Sequence, residues 1–180
     1  MIKRLLATAV VALALVAAGC GGSDESSSAS PTDEWADGFC TAITTWTDSL
    51  KSVTEQFASP SSLTQDGLTD AANDVKSSTD TLVDDLRGLG APDTESGQAV
   101  KTSIDELSTT LESEVSKIES AVDGASGLTE LPSAISSITT SLSAMGSAFA
   151  STLQAIESAD VKRELQTALE DSPACADISG

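Results

Sequence analysis

Apolar residues recur every three or four positions in four successive stretches of this chain, a spacing that turns one face of a helix into a stripe. The first stretch follows Pro31, with Thr32 or Asp33 as its cap. It aligns Trp35, Phe39, Ile43, Trp46, Leu50, Val53 and Phe57 before Ser59-Pro60-Ser61 ends it. Ser62-Leu63-Thr64-Gln65 has the form of a capping box. It opens a stripe of Leu68, Ala72, Val75, Thr79, Leu82, Leu86 and Leu89 that stops at Gly88-Leu89-Gly90-Ala91-Pro92. From near Asp93 a third stripe runs through Val100, Ile104, Leu107, Leu111, Val115, Ile118 and Val122 to Asp123-Gly124. The fourth carries Pro132 in its first turn, where proline is tolerated. Its stripe is Leu131, Ile135, Ile138, Leu142, Met145, Phe149, Leu153 and Ile156. A short last helix holds Val161, Leu165 and Leu169 and ends before Pro173. Sustained alternation with a period of two is absent, so no sheet is expected.

Four amphipathic helices of similar length joined by short connections predict an all-α fold, an antiparallel up-down four-helix bundle. A helix running unbroken from Pro132 to Asp171 would be about 60 Å long and overshoot its neighbours. A break is therefore expected near Ser158–Asp160, with a short fifth C-terminal helix folded over one end. The bundle domain is assigned to residues 32–180.

The first 19 residues have a different character. Lys3 and Arg4 precede an apolar run from Leu5 to Ala18, closed by Ala17-Ala18-Gly19-Cys20, the pattern of a secretory signal peptide. As a helix, Leu5 to Gly19 would rise only roughly 22 Å, short of a hydrocarbon core of roughly 30 Å. Ala18, Gly19 and Cys20 resemble the bacterial lipobox, in which the cysteine receives a diacylglyceryl group before cleavage ahead of it. The departure is Ala17, where leucine is commonest. Ala17-Ala18-Gly19 also suits an ordinary signal peptidase, so plain secretion is the alternative. Residues 20–31, rich in Gly, Ser and acids, read as the anchored cysteine and a flexible tether.

Three cysteines are present, Cys20, Cys40 and Cys175. An odd count in an exported chain leaves one thiol to be modified or exposed. Acylation of Cys20 resolves the parity and leaves Cys40 and Cys175 to pair in an oxidising compartment; two free buried thiols are the other possibility. Neither lies in a C-x-x-C or zinc-spaced cluster.

Charge narrows the partners. Nine Lys and Arg stand against 28 Asp and Glu, a formal net charge of −19. Removal of residues 1–19 takes Lys3 and Arg4 and no acid. Such a surface repels nucleic-acid phosphates and anionic headgroups, so no nucleic-acid partner is expected and a tethered domain should stand off its membrane.

Catalytic motifs are missing. The chain has no histidine, which removes Ser-His and Cys-His nucleophile pairs and the commonest general base. Asp84-Asp85, Asp70 with Asp74, and Asp105-Glu106 lack an EF-hand pattern and read as solvated acidic faces. No serine sits in a nucleophile elbow or S-x-x-K motif, and no phosphate loop is present, so no enzyme, cofactor or metal is expected. Trp35 and Trp46, at helical spacing with Phe39 and Ile43, read as core. Small residues around Gly146, from Ala144 to Ala150, suggest either a close helix crossing or a partner groove.

Taken together, Ala17 to Cys20, Trp35-Ala36-Asp37-Gly38-Phe39-Cys40 with Trp46, Leu89-Gly90-Ala91-Pro92 and Pro173-Ala174-Cys175 resemble features of small uncharacterised helical lipoproteins and secreted proteins of actinobacteria. The resemblance implies a cell-envelope location and a disulfide-closed bundle, and brings no known activity. The expected function is that of a non-catalytic helical module, lipid-anchored on the outer face of the cytoplasmic membrane. Its partner would be another envelope protein or a cell-wall component. The alternative is a lipoprotein that binds a small hydrophobic ligand in a cavity inside the bundle.

Overall fold

Each stripe becomes a helix. The computed structural model describes residues 30–57, 64–125, 127 and 129–176. It contains α1 (Pro31–Phe57), α2 (Gln65–Leu89), α3 (Gly97–Asp123), α4 (Leu131–Ala159) and α5 (Glu164–Asp171), followed by a 3-10 turn at Pro173–Cys175. No strand occurs among the described residues. The architecture is the antiparallel helical bundle with a short fifth helix. The leader, Cys20 and most of the tether lie outside the described residues.

The helix starts correct the sequence reading in three places. Ser30, not Thr32 or Asp33, caps α1. Its hydroxyl accepts from the Asp33 amide at 3.1 Å, and the Asp33 carboxylate accepts from the Ser30 amide at 2.9 Å. That reciprocal pair is a capping box with Pro31 at the first helical position, where its missing N–H costs nothing. The helix therefore begins inside the stretch assigned to the tether. In α2 the cap is Thr64, whose hydroxyl accepts from Gly67 N. Ser62 and Leu63 lie outside the described residues.

Between α2 and α3 the chain turns on two glycines. Gly90 has φ +67° and ψ −154°, a region essentially closed to residues with a side chain. Gly97 lies against the preceding turn so closely that a Cβ there would meet the Pro92 carbonyl oxygen at 2.1 Å. Hence α3 starts at Gly97 rather than near Asp93.

The core is one cluster. It takes Trp35, Phe39, Ile43, Trp46 and Val53 from α1, and Leu68, Val75, Leu82 and Leu86 from α2. All seven stripe residues of α3 are buried. Both tryptophans are interior, 4% and 3% exposed, as core residues should be. Trp35 stacks on Phe39 with ring centroids 5.2 Å apart and donates its indole N–H to the Gly90 carbonyl. Trp46 donates to the buried Thr79 hydroxyl of α2.

The fourth helix is rotated relative to expectation. Its innermost residues are Leu131, Ala134, Ile138, Ser141, Met145, Thr152 and Ile156, while Ile135, Leu142, Phe149 and Leu153 are only half-buried. The α3–α4 pair is the most extensive contact in the bundle. Ser141 of α4 and Ser108 of α3 are both buried, and small side chains at such positions let two helix backbones approach closely. Gly146 faces open space on the outside of α4. No tight crossing exists there: Gly146 follows the buried Met145 by one residue, a rotation of about 100° away from the core.

Chain direction changes where expected. Helix α4 ends at Ala159, Asp160 forms its C-cap, and α5 starts at Glu164. Val161 belongs to neither helix and is 89% exposed, so it is no part of the α5 stripe. Its place in the turn leaves Leu165 and Ala168 as the buried residues of α5. No helix among the described residues is long and apolar enough to cross a membrane.

Candidate functional site

Three of the sequence features noted above meet at one end of the bundle. Cys40, in the third turn of α1, is bonded to Cys175 with their Cα atoms 5.0 Å apart. One turn earlier in α1, the Asp37 carboxylate accepts from the hydroxyl of Ser172, the residue that separates α5 from the 3-10 turn. On the neighbouring face Gly38 admits Leu89, whose Cδ2 would lie 2.6 Å from any Cβ placed there. The segment from Trp35 to Cys40 is thus held by the α2–α3 turn on one side and by the chain's last turns on the other.

The fold-back of α5 is set by Asp160. Its Oδ2 accepts from Gln166 N at 2.7 Å, and its carbonyl accepts from Arg163 N. Arg163 takes a left-handed conformation, φ 60° and ψ 22°, to complete the reversal. The result lays α5 and the 3-10 turn against α1.

Between these elements lies a groove of about 350 Å³ that opens to solvent. Phe39, Leu153, Ile156, Leu169 and the Cys40–Cys175 bridge form its apolar lining; Glu157, Asp160, Gln166 and Glu170 supply its polar groups. Gln166 Nε2 is taken up by Glu170 Oε1 at 2.8 Å. No lysine or arginine lines it. A second groove, of about 400 Å³, runs between α1 and α2 and is mostly edged by hydroxyls and the carboxylates of Asp74 and Asp85. The grooves lie at helix seams and open outward, so the apolar groove differs in place from the cavity inside the bundle that the ligand reading foresaw.

A buried charge sits elsewhere. Glu114 of α3 is 7% exposed and its Oε1 accepts from Lys117 Nζ at 2.6 Å. That bond holds the carboxyl below its ordinary value; burial pushes it the other way, while the Ser141 hydroxyl of α4 and the Lys117 charge pull it further down. Glu114 therefore joins α3 to α4 and is accounted for by structure. Sequence reasoning passed over it, although its place three residues after Leu111 and four before Ile118 puts it on the buried face.

The remaining acidic pairs do not gather. Asp105 bonds Lys101 on its own helix, Asp70, Asp74, Asp84 and Asp85 are exposed, and no group of three metal-ligating side chains forms among the described residues. The site offers apolar surface and carboxylates. No protein-family model, curated protein or solved structure matches the chain.

Proposed function

We propose that this chain is a non-catalytic helical module, lipid-anchored through Cys20 on the outer face of the cytoplasmic membrane, that serves as an interaction or accessory protein of the cell envelope. The observation that carries this reading is the Cys40–Cys175 bridge. Stable disulfides belong to oxidising compartments, and this one uses two of the three cysteines, leaving Cys20 directly behind the leader. Its resemblance to actinobacterial lipoproteins points the same way. With the anchor at Cys20 and α1 beginning at Pro31, the tethered end of the bundle is the end that holds the disulfide, α5 and the groove. The partner in this reading is another envelope protein or a cell-wall component.

Fractionation of cells tests the anchor. Wild-type protein is expected in the membrane pellet and Cys20→Ser in the supernatant or medium. An unchanged distribution would refute lipid attachment, and both proteins in the medium would mean plain secretion.

A second reading is favoured by the apolar groove itself. At about 350 Å³ it falls within the range of small-molecule sites, roughly 300–1,000 Å³. In this reading the protein is a binding lipoprotein whose ligand sits under α5 at the tethered end.

A further inference from the structure

We infer that the groove between α1, α4 and α5 binds a small amphiphilic cation, an alkyl or aryl body carrying an ammonium group. The inference rests on the ligand reading of this groove and is independent of the anchor at Cys20. Two features of different kinds select that class. The lining made by Phe39, Leu153, Ile156, Leu169 and the disulfide can desolvate an apolar body. Around it stand Glu157 and Glu170, both exposed, and Asp160.

Their other partners leave charge to spare. Asp160 uses one oxygen to hold the Gln166 amide, and Glu170 accepts from the neutral Gln166 side chain. The cations closest in sequence do not line the groove: Lys162 pairs with Glu95 of the α2–α3 turn, and Arg163 is exposed in the α4–α5 turn. An anionic amphiphile would face uncompensated carboxylates. A neutral one would leave their attraction unused. An ammonium head placed between Glu157 and Glu170, with its apolar body on Leu153 and Leu169, satisfies both halves of the groove.

The test is calorimetric titration of the full disulfide-bonded chain at physiological ionic strength, where long-range attraction is screened over about 8 Å. The probes are decyltrimethylammonium, decyl maltoside and decyl sulfate, each below its micelle concentration. One equivalent of the cation is expected to bind about tenfold tighter than the neutral amphiphile, the effect of roughly one close charge interaction at a partly exposed site. Glu157→Gln with Glu170→Gln should abolish that preference, so that cation and neutral amphiphile bind alike. A matched pair on α1, Asp48→Asn with Glu55→Gln, should leave it intact. Leu169→Trp, which fills the groove, should remove binding of all three.

Equal affinity for the three probes would overturn the cationic class while the ligand reading stands. Loss of the preference in the Asp48 and Glu55 variant would reduce it to net charge and overturn the site. Binding that survives Leu169→Trp, with helicity unchanged, would place the ligand outside the groove. Absence of saturable binding by any probe would overturn the ligand reading itself.

Discussion

The indole N–H of Trp46 donates to the hydroxyl of Thr79, 3.1 Å away in the buried seam between α1 and α2. Both residues are interior, Thr79 completely so, and the bond ties α1 to α2 through a buried polar pair. Thr79→Val keeps the shape and removes the acceptor. It should lower the unfolding free energy by about 1–3 kcal/mol, the cost of a buried donor left without a partner. Thr79→Ser should retain most of the stability. Trp46→Ala should cost about 3–5 kcal/mol through the space it leaves. Denaturant titration measures all three, and a Thr79→Val variant as stable as wild type would deny the bond any energetic role.

The disulfide should be a major contributor to stability. Cys40 and Cys175 are 135 residues apart, and closing a loop of that size restricts the unfolded chain by about 5 kcal/mol in the chain-entropy model. Cys40→Ser should melt at the temperature of the reduced wild type, well below the oxidised protein. Identical melting with and without reductant would remove the bridge from the energetics.

Acid should weaken the α3–α4 pairing through Glu114. Its folded pKa lies below the ordinary value of 4.5, so the charged form is favoured by folding. Its contribution is complete above that ordinary value and is lost as pH falls through the folded value. Glu114→Gln cannot titrate. The stability difference between wild type and Glu114→Gln should therefore be constant near neutrality and shift against the wild type as pH drops below 4.5. A difference independent of pH down to the acid transition would mean the Lys117 and Ser141 bonds do not select the charged form.

Two turns should respond to substitution in opposite directions. Gly97→Ala forces a methyl group onto the Pro92 carbonyl, and should destabilise by about 1–3 kcal/mol, the scale of overpacking. Arg163→Gly relieves a left-handed residue. The relief of about 1–2 kcal/mol is partly offset by the greater freedom of glycine when unfolded. Arg163→Gly should therefore melt at or slightly above wild type. A marked loss would assign Arg163 a contact that matters more than its backbone strain.

Helix identity was legible in the sequence because the spacing of large apolar residues reports one face directly. Every stripe residue of α3 is buried for that reason, and the break after α4 follows from length alone. Helix α4 sits one notch out of phase with its stripe of large apolar residues. Its large residues span a broad arc, and the buried face also takes in the small Ser141, which meets Glu114 of α3. The first cap is not legible in the sequence because Thr32 and Asp33 are as competent as Ser30, and only the reciprocal bonds distinguish them. Cysteine parity points to the pairing of Cys40 with Cys175. The Ser172–Asp37 bond had no such signal, since neither a hydroxyl nor a carboxylate at a separation of 135 residues announces its partner. The groove arises from how α5 lands on α1 and α4, a tertiary result that no single stripe encodes.

The Cys40–Cys175 bridge also decides how the molecule carries load. Tension applied between residue 30 and residue 176 travels along the opening turns of α1, crosses the sulfur atoms and leaves through the last few residues. Helices α2, α3, α4 and α5, with the rest of α1, lie in the loop that the bridge closes and are bypassed by it. A pull that would peel an unbridged bundle apart helix by helix can here extend only the short segments outside the ring.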